Sequence, residues 1–510
     1  MRFLLLFLLI SVPVRAPATE LEPDVKRFLE AYNALEKYLA DPISDPEPAF
    51  YQGAIPGMVH TLDPHSAFLD RQQYESLKDM QTSTETGFGS VLQLVPGRVV
   101  VLQTLEGSPS ARAGLAPGDE MVAINNLPLT EMDTQQLASV LGQSRRSKAE
   151  LLVRRAGFAR LIPITLVPAE LADPSVQRKF FLKPGIAYIK VVNFDLHTAE
   201  ELAKVIDEMG GHKIKGLVLD MRDNPGGVVE AAVRIASFFL KPGQRILWIQ
   251  GRDGPQEEVR VPEGFEPFEF PISVLINGRT ASAAELVSGA LQDHDRAAII
   301  GEPSFGKGLV QSVFELPEGA ALAITTAQYL TPSGRSIQRS LGDCRIYQLV
   351  HCEDEQQDPP KEFKTDAGRV VSEKGGIHPD QLVYPRGYVN RLEAVMDMSN
   401  SFLDFAQRYV REHPGISEDF QVSPRLLDEF KLFLSERRIQ PDLSEWTSTV
   451  DFVRERLQQE IFNLTLGVAK GDEVEARRDA PIQAALQAIE QQASREDRAA
   501  TAQSPAESAP

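Results

Sequence analysis

A serine, a lysine and a glutamine stand in a pattern that can support acyl transfer. Asn277-Gly278-Arg279-Thr280-Ala281-Ser282-Ala283-Ala284-Glu285 leaves an apolar run and opens a helical one. A serine at such a strand-to-helix turn is held at the mouth of a sheet. It lies beside unpaired first-turn N–H groups and the positive end of the helix dipole, which can stabilise an oxyanion. Taken alone, Ser282 reads first as an N-cap. The second segment is Gly306-Lys307-Gly308-Leu309-Val310-Gln311. If it is extended, residues 307, 309 and 311 face one side, and Lys307 and Gln311 enter one pocket together. The full phosphate-loop pattern is absent. The third segment, Asp220-Met221-Arg222-Asp223-Asn224-Pro225-Gly226-Gly227, leaves the apolar run at 216–219. Its glycines free backbone N–H groups to point at a ligand; a tight turn with Arg222 on a local carboxylate is the simpler reading.

A serine hydroxyl is a weak nucleophile until a base takes its proton. His294 lies at the far end of the helix that Ser282 opens, which disfavours a histidine base. Lys307 can serve only when neutral. Moving a lysine pKa to ~7 costs about 4.6 kcal/mol, a shift that burial can supply.

The elements around these segments predict an α/β core. Residues 169–390 alternate short strands (186–192, 216–219, 272–276, 297–300) with helices (199–209, 229–240, 283–291). Residues 83–168 read as a small β-rich unit with strands at 99–102, 121–124, 150–154 and 161–166 and a helix at 130–141 capped by Thr130. Residues 19–82 are polar and helical, with a turn at Asp63-Pro64; His60 and His65 lack the spacing of a metal pair. Residues 391–492 are charged and helical, and Leu427, Phe430 and Leu434, then Trp446, Val450, Val453 and Leu457, form apolar stripes. The stripes read as intramolecular core, with a dimer interface as the alternative. Residues 493–510 are expected to be disordered.

At 510 residues the chain is too long for one core, and its net charge of −19 argues against nucleic acid and polybasic membrane contact. Residues 1–18 carry one early cation, a short apolar run and small residues at Ala16 and Ala18, the pattern of a signal peptide. Export is therefore expected, to the periplasm or the medium, with membrane association if the segment is uncleaved. In that context Cys344 and Cys352 are expected to form a disulfide. No cofactor and no metal site is expected.

Together the three segments resemble the Ser–Lys peptidases of the carboxyl-terminal processing family, also called tail-specific proteases. The carriers are Thr280-Ala281-Ser282-Ala283, Gly306-Lys307-Gly308 with Gln311 four residues on, and the Asp-x-Arg-x-Asn-x-Gly-Gly turn at 220–227. Leu62-Asp63-Pro64-His65-Ser66, Tyr329-Leu330-Thr331-Pro332-Ser333-Gly334-Arg335 and Gly375-Gly376-Ile377-His378-Pro379-Asp380 look like further signatures. The chain departs at Ala284, where the family often has serine, and in an insertion between Gln338 and Gly375 that holds both cysteines. The resemblance implies an α/β (α+β) peptidase core with an inserted PDZ domain and helical N- and C-terminal regions. It implies Ser282, Lys307 and Gln311 as catalytic residues and Gly227 and Ala283 as oxyanion donors. Gly87-Phe88-Gly89-Ser90 becomes the carboxylate-binding loop, with Leu137 and Leu141 lining a side-chain pocket or serving as core. Expected partners are protein or peptide substrates with free C-termini, a second copy of the chain and an adaptor protein. A catalytically silent PDZ scaffold or chaperone, and a small-ligand carrier of the retinoid-binding kind, are the competing readings.

Overall fold

The computed structural model describes residues 18–503 apart from 42, 64, 80–83, 253–255, 340–360 and 374. The expected signal peptide and the Cys344–Cys352 disulfide lie outside the described residues. Among the described residues no helix is long and apolar enough to cross a membrane. The chain divides into two compact units, one of residues 1–78, 251–254 and 309–328 and one of the remainder.

In the first unit, the strand Ala67–Leu69 and the strand Leu309–Glu315 both pair antiparallel with Ala321–Leu330. The turn at 63–66 locks the short strand in place. Asp63 accepts from the His65 N–H and the Ser66 hydroxyl, and Ser66 Oγ in turn accepts from the Thr325 N–H at 3.0 Å. His65 therefore belongs to a structural turn, whereas His60 lies in the helix Ile55–Leu62.

The second unit carries a mostly parallel sheet. Its strands run in the order Val176–Lys183, Ile186–Val191, Gly216–Asp220, Ile272–Ile276, Ala297–Gly301, Gln381–Leu382. The first pair is antiparallel and the rest are parallel. Parallel strands need both faces covered, and successive residues here are buried on alternate sides. Val218, Leu275 and Ile300 pack against Ile482, Ala485, Leu486 and Ile489 of the final helix, Ala480–Gln503. Leu217, Leu219, Val274 and Ile299 are fully buried on the other side, where helices Thr198–Glu208, Val229–Ser237 and Ala283–Asp293 pack on one another.

The β-rich module is bracketed by Thr84–Gly87 paired with Ala169–Ala172. Between them lies a sheet in the order Ser90–Val95, Arg98–Thr104, Glu120–Ile124, Ala149–Arg154, Ile162–Leu166. Its long helix starts at Thr134 rather than Thr130. Asp133 takes the N-cap, with its carboxylate on the Gln136 N–H and the Gln136 side chain on the Asp133 N–H. That reciprocal pair satisfies two orphan donors, which a threonine three residues earlier cannot match.

The stripe residues Leu427, Phe430, Leu434, Val453 and Leu457 are buried in a core of the C-terminal helices, with Phe402, Phe405 and Phe452. They are internal packing. Val100 and Leu102 of the β-rich module meet Leu403 of these helices, and Arg98 pairs with Asp404 at 2.6 Å. The last helix runs through Gln503, past the boundary at 492 and into the expected disordered tail. Alanine, glutamine and glutamate at 484–503 are good helix formers, and the first turns are anchored on the sheet.

Asp472, on the helix Val468–Ala476, is buried and pairs with Arg178 of the edge strand at 3.0 Å. Burial outweighs that partner and pushes its carboxyl up to about 6. The folded state thus binds the proton more tightly than the unfolded chain. The stabilisation is present at low pH and is lost as pH rises through 6. Asp472→Asn is expected to match the parent near pH 4 and to exceed it at pH 8 by up to ~3 kcal/mol. Denaturant unfolding at both pH values checks this; an offset independent of pH would contradict it.

Candidate active site

Three adjacent parallel strands end on one edge of the sheet, the edge where open α/β sheets hold their ligands. Gly216–Asp220 delivers the turn at 220–227, Ile272–Ile276 delivers 277–282, and Ala297–Gly301 delivers 302–307. Sequence-distant segments meet there because their strands are neighbours.

Ser282 stands at the N-cap of the helix Ala283–Asp293 with φ 53° and ψ −119°. Positive φ is strained for a residue with a Cβ, and such strain persists only where the surroundings over-determine it. Those surroundings are the buried side chain of Glu285. Its Oε2 accepts from the Ser282 N–H at 2.8 Å and the Lys307 N–H at 2.9 Å. Its Oε1 accepts from the Gly306 N–H at 2.7 Å and the Ser304 hydroxyl. One carboxylate oxygen thus serves both segments, so the two backbone nitrogens lie within about 6 Å of each other. Burial raises the Glu285 pKa, and its four donors oppose that rise.

Lys307 is half-buried, and desolvation lowers its pKa below the usual lysine value, with the Glu285 charge acting the other way. The shift has the sign a lysine base requires.

The turn at 220–227 is tied to the serine segment. The Ala281 N–H donates to the Asn224 carbonyl at 2.9 Å, and the Thr280 hydroxyl donates to the Met221 carbonyl at 2.8 Å. A Cβ on Gly226 would come within 2.8 Å of Ser282 Cβ and 2.9 Å of the Ala283 nitrogen. Only glycine permits that approach. The Gly226 carbonyl accepts from the Phe194 N–H at 2.9 Å. In a trans peptide the next N–H, that of Gly227, therefore points the opposite way, off the Phe194 strand. Ala283 is the first helical residue, so its N–H has no helical acceptor.

Gln311 lies in the first unit. Its strand begins at Leu309, and the register shift in its pairing lies in the partner strand, where Thr326 is the extra residue, so residues 309 and 311 keep their alternation. The Gln311 side-chain amide donates to the His65 carbonyl. His294 closes the C-terminal end of the serine's helix, about 16 Å along the axis from its start. It is held there by Asp366 at 2.7 Å and the Arg245 carbonyl at 2.6 Å.

In the β-rich module, Gly87 is spent in the strand pair with Ala169. The Phe88 carbonyl accepts from Ser110 N–H and the Gly89 carbonyl from Leu105 N–H, at 3.0 and 2.9 Å. By the same peptide geometry, the N–H groups of Gly89 and Ser90 both point away from the 105–110 turn. Among the described residues the strand Ser90–Val95 has a neighbouring strand on one side only, and it faces the helix Thr134–Ser144. Phe88 packs against the module's core. Leu137 is wholly buried in that core, whereas Leu141 is partly buried at its margin.

A model of peptidase family S41 matches residues 185–342, and a PDZ-domain model matches residues 100–155. The carboxyl-terminal-processing protease of Synechocystis sp. is 33% identical over 318 residues, 60% of this chain and 72% of the relative. The carboxy-terminal-processing protease of Bartonella bacilliformis is 36% identical over 297 residues, covering 56% and 67%.

The chain belongs to the carboxyl-terminal processing peptidases.

It is 30% identical to carboxy-terminal processing protease CtpA of Bacillus subtilis over 296 residues, and spans 61% of that relative. The solved structure of the photosystem II D1 C-terminal processing protease aligns at 25% identity and a TM-score of 0.38, covering 70% of this chain and 92% of that one. This is a serine-type peptidase family, so Ser282 at its strained turn is the residue to test. Glu285 escaped the reading by motif, although Ser282-x-x-Glu285 has the capping-box spacing. What the spacing does not reveal is that the glutamate also holds the lysine loop.

Glu285→Gln leaves one acceptor oxygen for four donors. The expected loss is about 2–4 kcal/mol of stability. Peptide cleavage at a temperature where the variant stays folded is expected to fall about 10²-fold or more, through displacement of Ser282. Parent-like turnover would show that the carboxylate does not position the site.

Proposed function

We propose that this peptidase cleaves polypeptides by a Ser282–Lys307 dyad and selects them by their C-terminal tails. The observation that carries the reading is the single Glu285 oxygen shared by the Ser282 and Lys307 backbones. Neutral Lys307 takes the Ser282 hydroxyl proton as Oγ attacks the scissile carbonyl carbon. The resulting oxyanion is held by the N–H groups of Gly227 and Ala283. The C–N bond then breaks, the lysine ammonium returns the proton to the leaving amine, and an acyl-enzyme remains. Water, deprotonated by the same lysine, releases the acid and frees Ser282. The complete catalytic set favours an enzyme over a silent scaffold or a small-ligand carrier. The expected destination is outside the cytoplasm, as the N-terminal segment suggests.

Ser282→Ala and Lys307→Ala are expected to abolish casein cleavage without unfolding the protein. Lys307→Arg is not expected to rescue, because a guanidinium stays charged. Since only the neutral amine is active, kcat/KM is expected to rise with pH through one ionisation below the ordinary lysine value of 10.5. Turnover in either lysine variant near that of the parent would rule out the dyad.

Tail selection rests on the Gly89 and Ser90 N–H groups, which form a nest for a terminal carboxylate while the peptide adds as a strand beside Ser90–Val95. A buried carboxylate needs such donors. An amidated tail peptide is expected to be cleaved much more slowly than the free acid at sub-saturating concentration. Equal rates would remove tail recognition from the account and leave the chemistry standing.

A further inference from the structure

The oxyanion turn carries an ion-pair ladder that reaches a part of the chain outside the matched peptidase segment. Asp220 is fully buried at the end of its strand. It accepts from the Tyr188 hydroxyl at 2.7 Å, from the Arg222 backbone N–H at 2.9 Å, and from Arg222 Nε and Nη2. The remaining edge of the Arg222 guanidinium is turned to Asp479, with Nη1 at 2.8 and 3.1 Å from its two oxygens. Arg222 is thus gripped on both edges, in the planar geometry that an arginine fork favours.

Asp479 is itself fixed. Its Oδ1 caps the Ile482 N–H at 2.9 Å at the start of the last helix. That helix lays Ile482, Ala485, Leu486 and Ile489 on the sheet, and Ser273 Oγ donates to its Ala485 carbonyl at 3.2 Å. The position of Asp479 is therefore set by the same sheet whose strand ends bear the reacting groups. From Arg222 the turn runs two residues to Asn224, which is fully buried. Its side-chain amide donates to the Val191 carbonyl, and its side-chain oxygen accepts from the Gly226 N–H, both at 2.8 Å. Gly226 rests against Ser282.

We infer that Asp479 is a positioning residue for the peptidase reaction: through Arg222 it fixes the turn that presents the Gly227 N–H to the oxyanion. This rests on the proposed Ser282 chemistry. Without Asp479 the turn keeps Asp220 and Asn224, so it does not unfold; it loses the outer brace. The C-terminal helix is then both the cover of the sheet and a part of the catalytic alignment.

The test uses the full chain. Asp479→Asn retains a good N-cap and removes the charge on Arg222. It is expected to leave the melting temperature and KM near those of the parent and to lower kcat about 10- to 100-fold, the scale of a misplaced oxyanion donor. Asp479→Glu is expected to recover part of that loss. Arg222→Gln with Asp479→Asn is expected to be no slower than Arg222→Gln alone, because the aspartate acts through the arginine. An unchanged kcat in Asp479→Asn, or full additivity in the double variant, would overturn the inference while parent cleavage left the Ser282 reading intact. A parent that neither cleaves casein nor takes a fluorophosphonate on Ser282 would overturn both.

Discussion

The site depends on one buried carboxylate. Glu285 is sealed from water, and an unpaired charge there would be costly. Four donors make the charge tolerable, and each comes from a segment that must be in register for the chemistry: Ser282, Ser304, Gly306 and Lys307. The constraint is mutual. The carboxylate cannot be satisfied unless the serine turn and the lysine loop are both in place, and neither is fixed without it. It also limits how far burial can lower the lysine pKa, since the same charge favours the ammonium. The Lys307 amine is thus set by two opposing effects, desolvation and a fixed anion.

The rest of the fold delivers those segments to one edge. Parallel pairing in the order 216–220, 272–276, 297–301 places three strand ends side by side. The strands stay parallel and buried because helices cover one face and the chain's final helix covers the other. A helix far along the chain from the serine therefore packs on the face of the sheet behind it. The β-rich module and the C-terminal helices share the contacts of Val100, Leu102 and Arg98.

Much of this was legible in the sequence, and the reasons for the rest are physical. The buried strands announce themselves as unbroken apolar runs, and Ser282, Lys307 and the Gly226-Gly227 pair are marked by the glycines and turn residues around them. The helix at 134 was displaced in the reading because Thr130 and Asp133 are both plausible caps, and only the partner Gln136 decides between them. Ile482, Ala485, Leu486 and Ile489 have helical spacing, but spacing alone does not say what a stripe packs on. Glu285 and Asp479 were missed for a common reason. Each is an ordinary capping residue locally, and its second partner lies on a distant segment.

The central claim is that Lys307 is a desolvated base held in register by Glu285. The most direct measurement is an NMR titration of the lysine side-chain carbons in the Ser282→Ala protein, with Lys307 assigned by its loss in Lys307→Ala. The account predicts one lysine titrating clearly below the others, and falling further when Glu285→Gln removes the opposing charge in a protein that remains folded. A Lys307 signal that titrates with the surface lysines would contradict it.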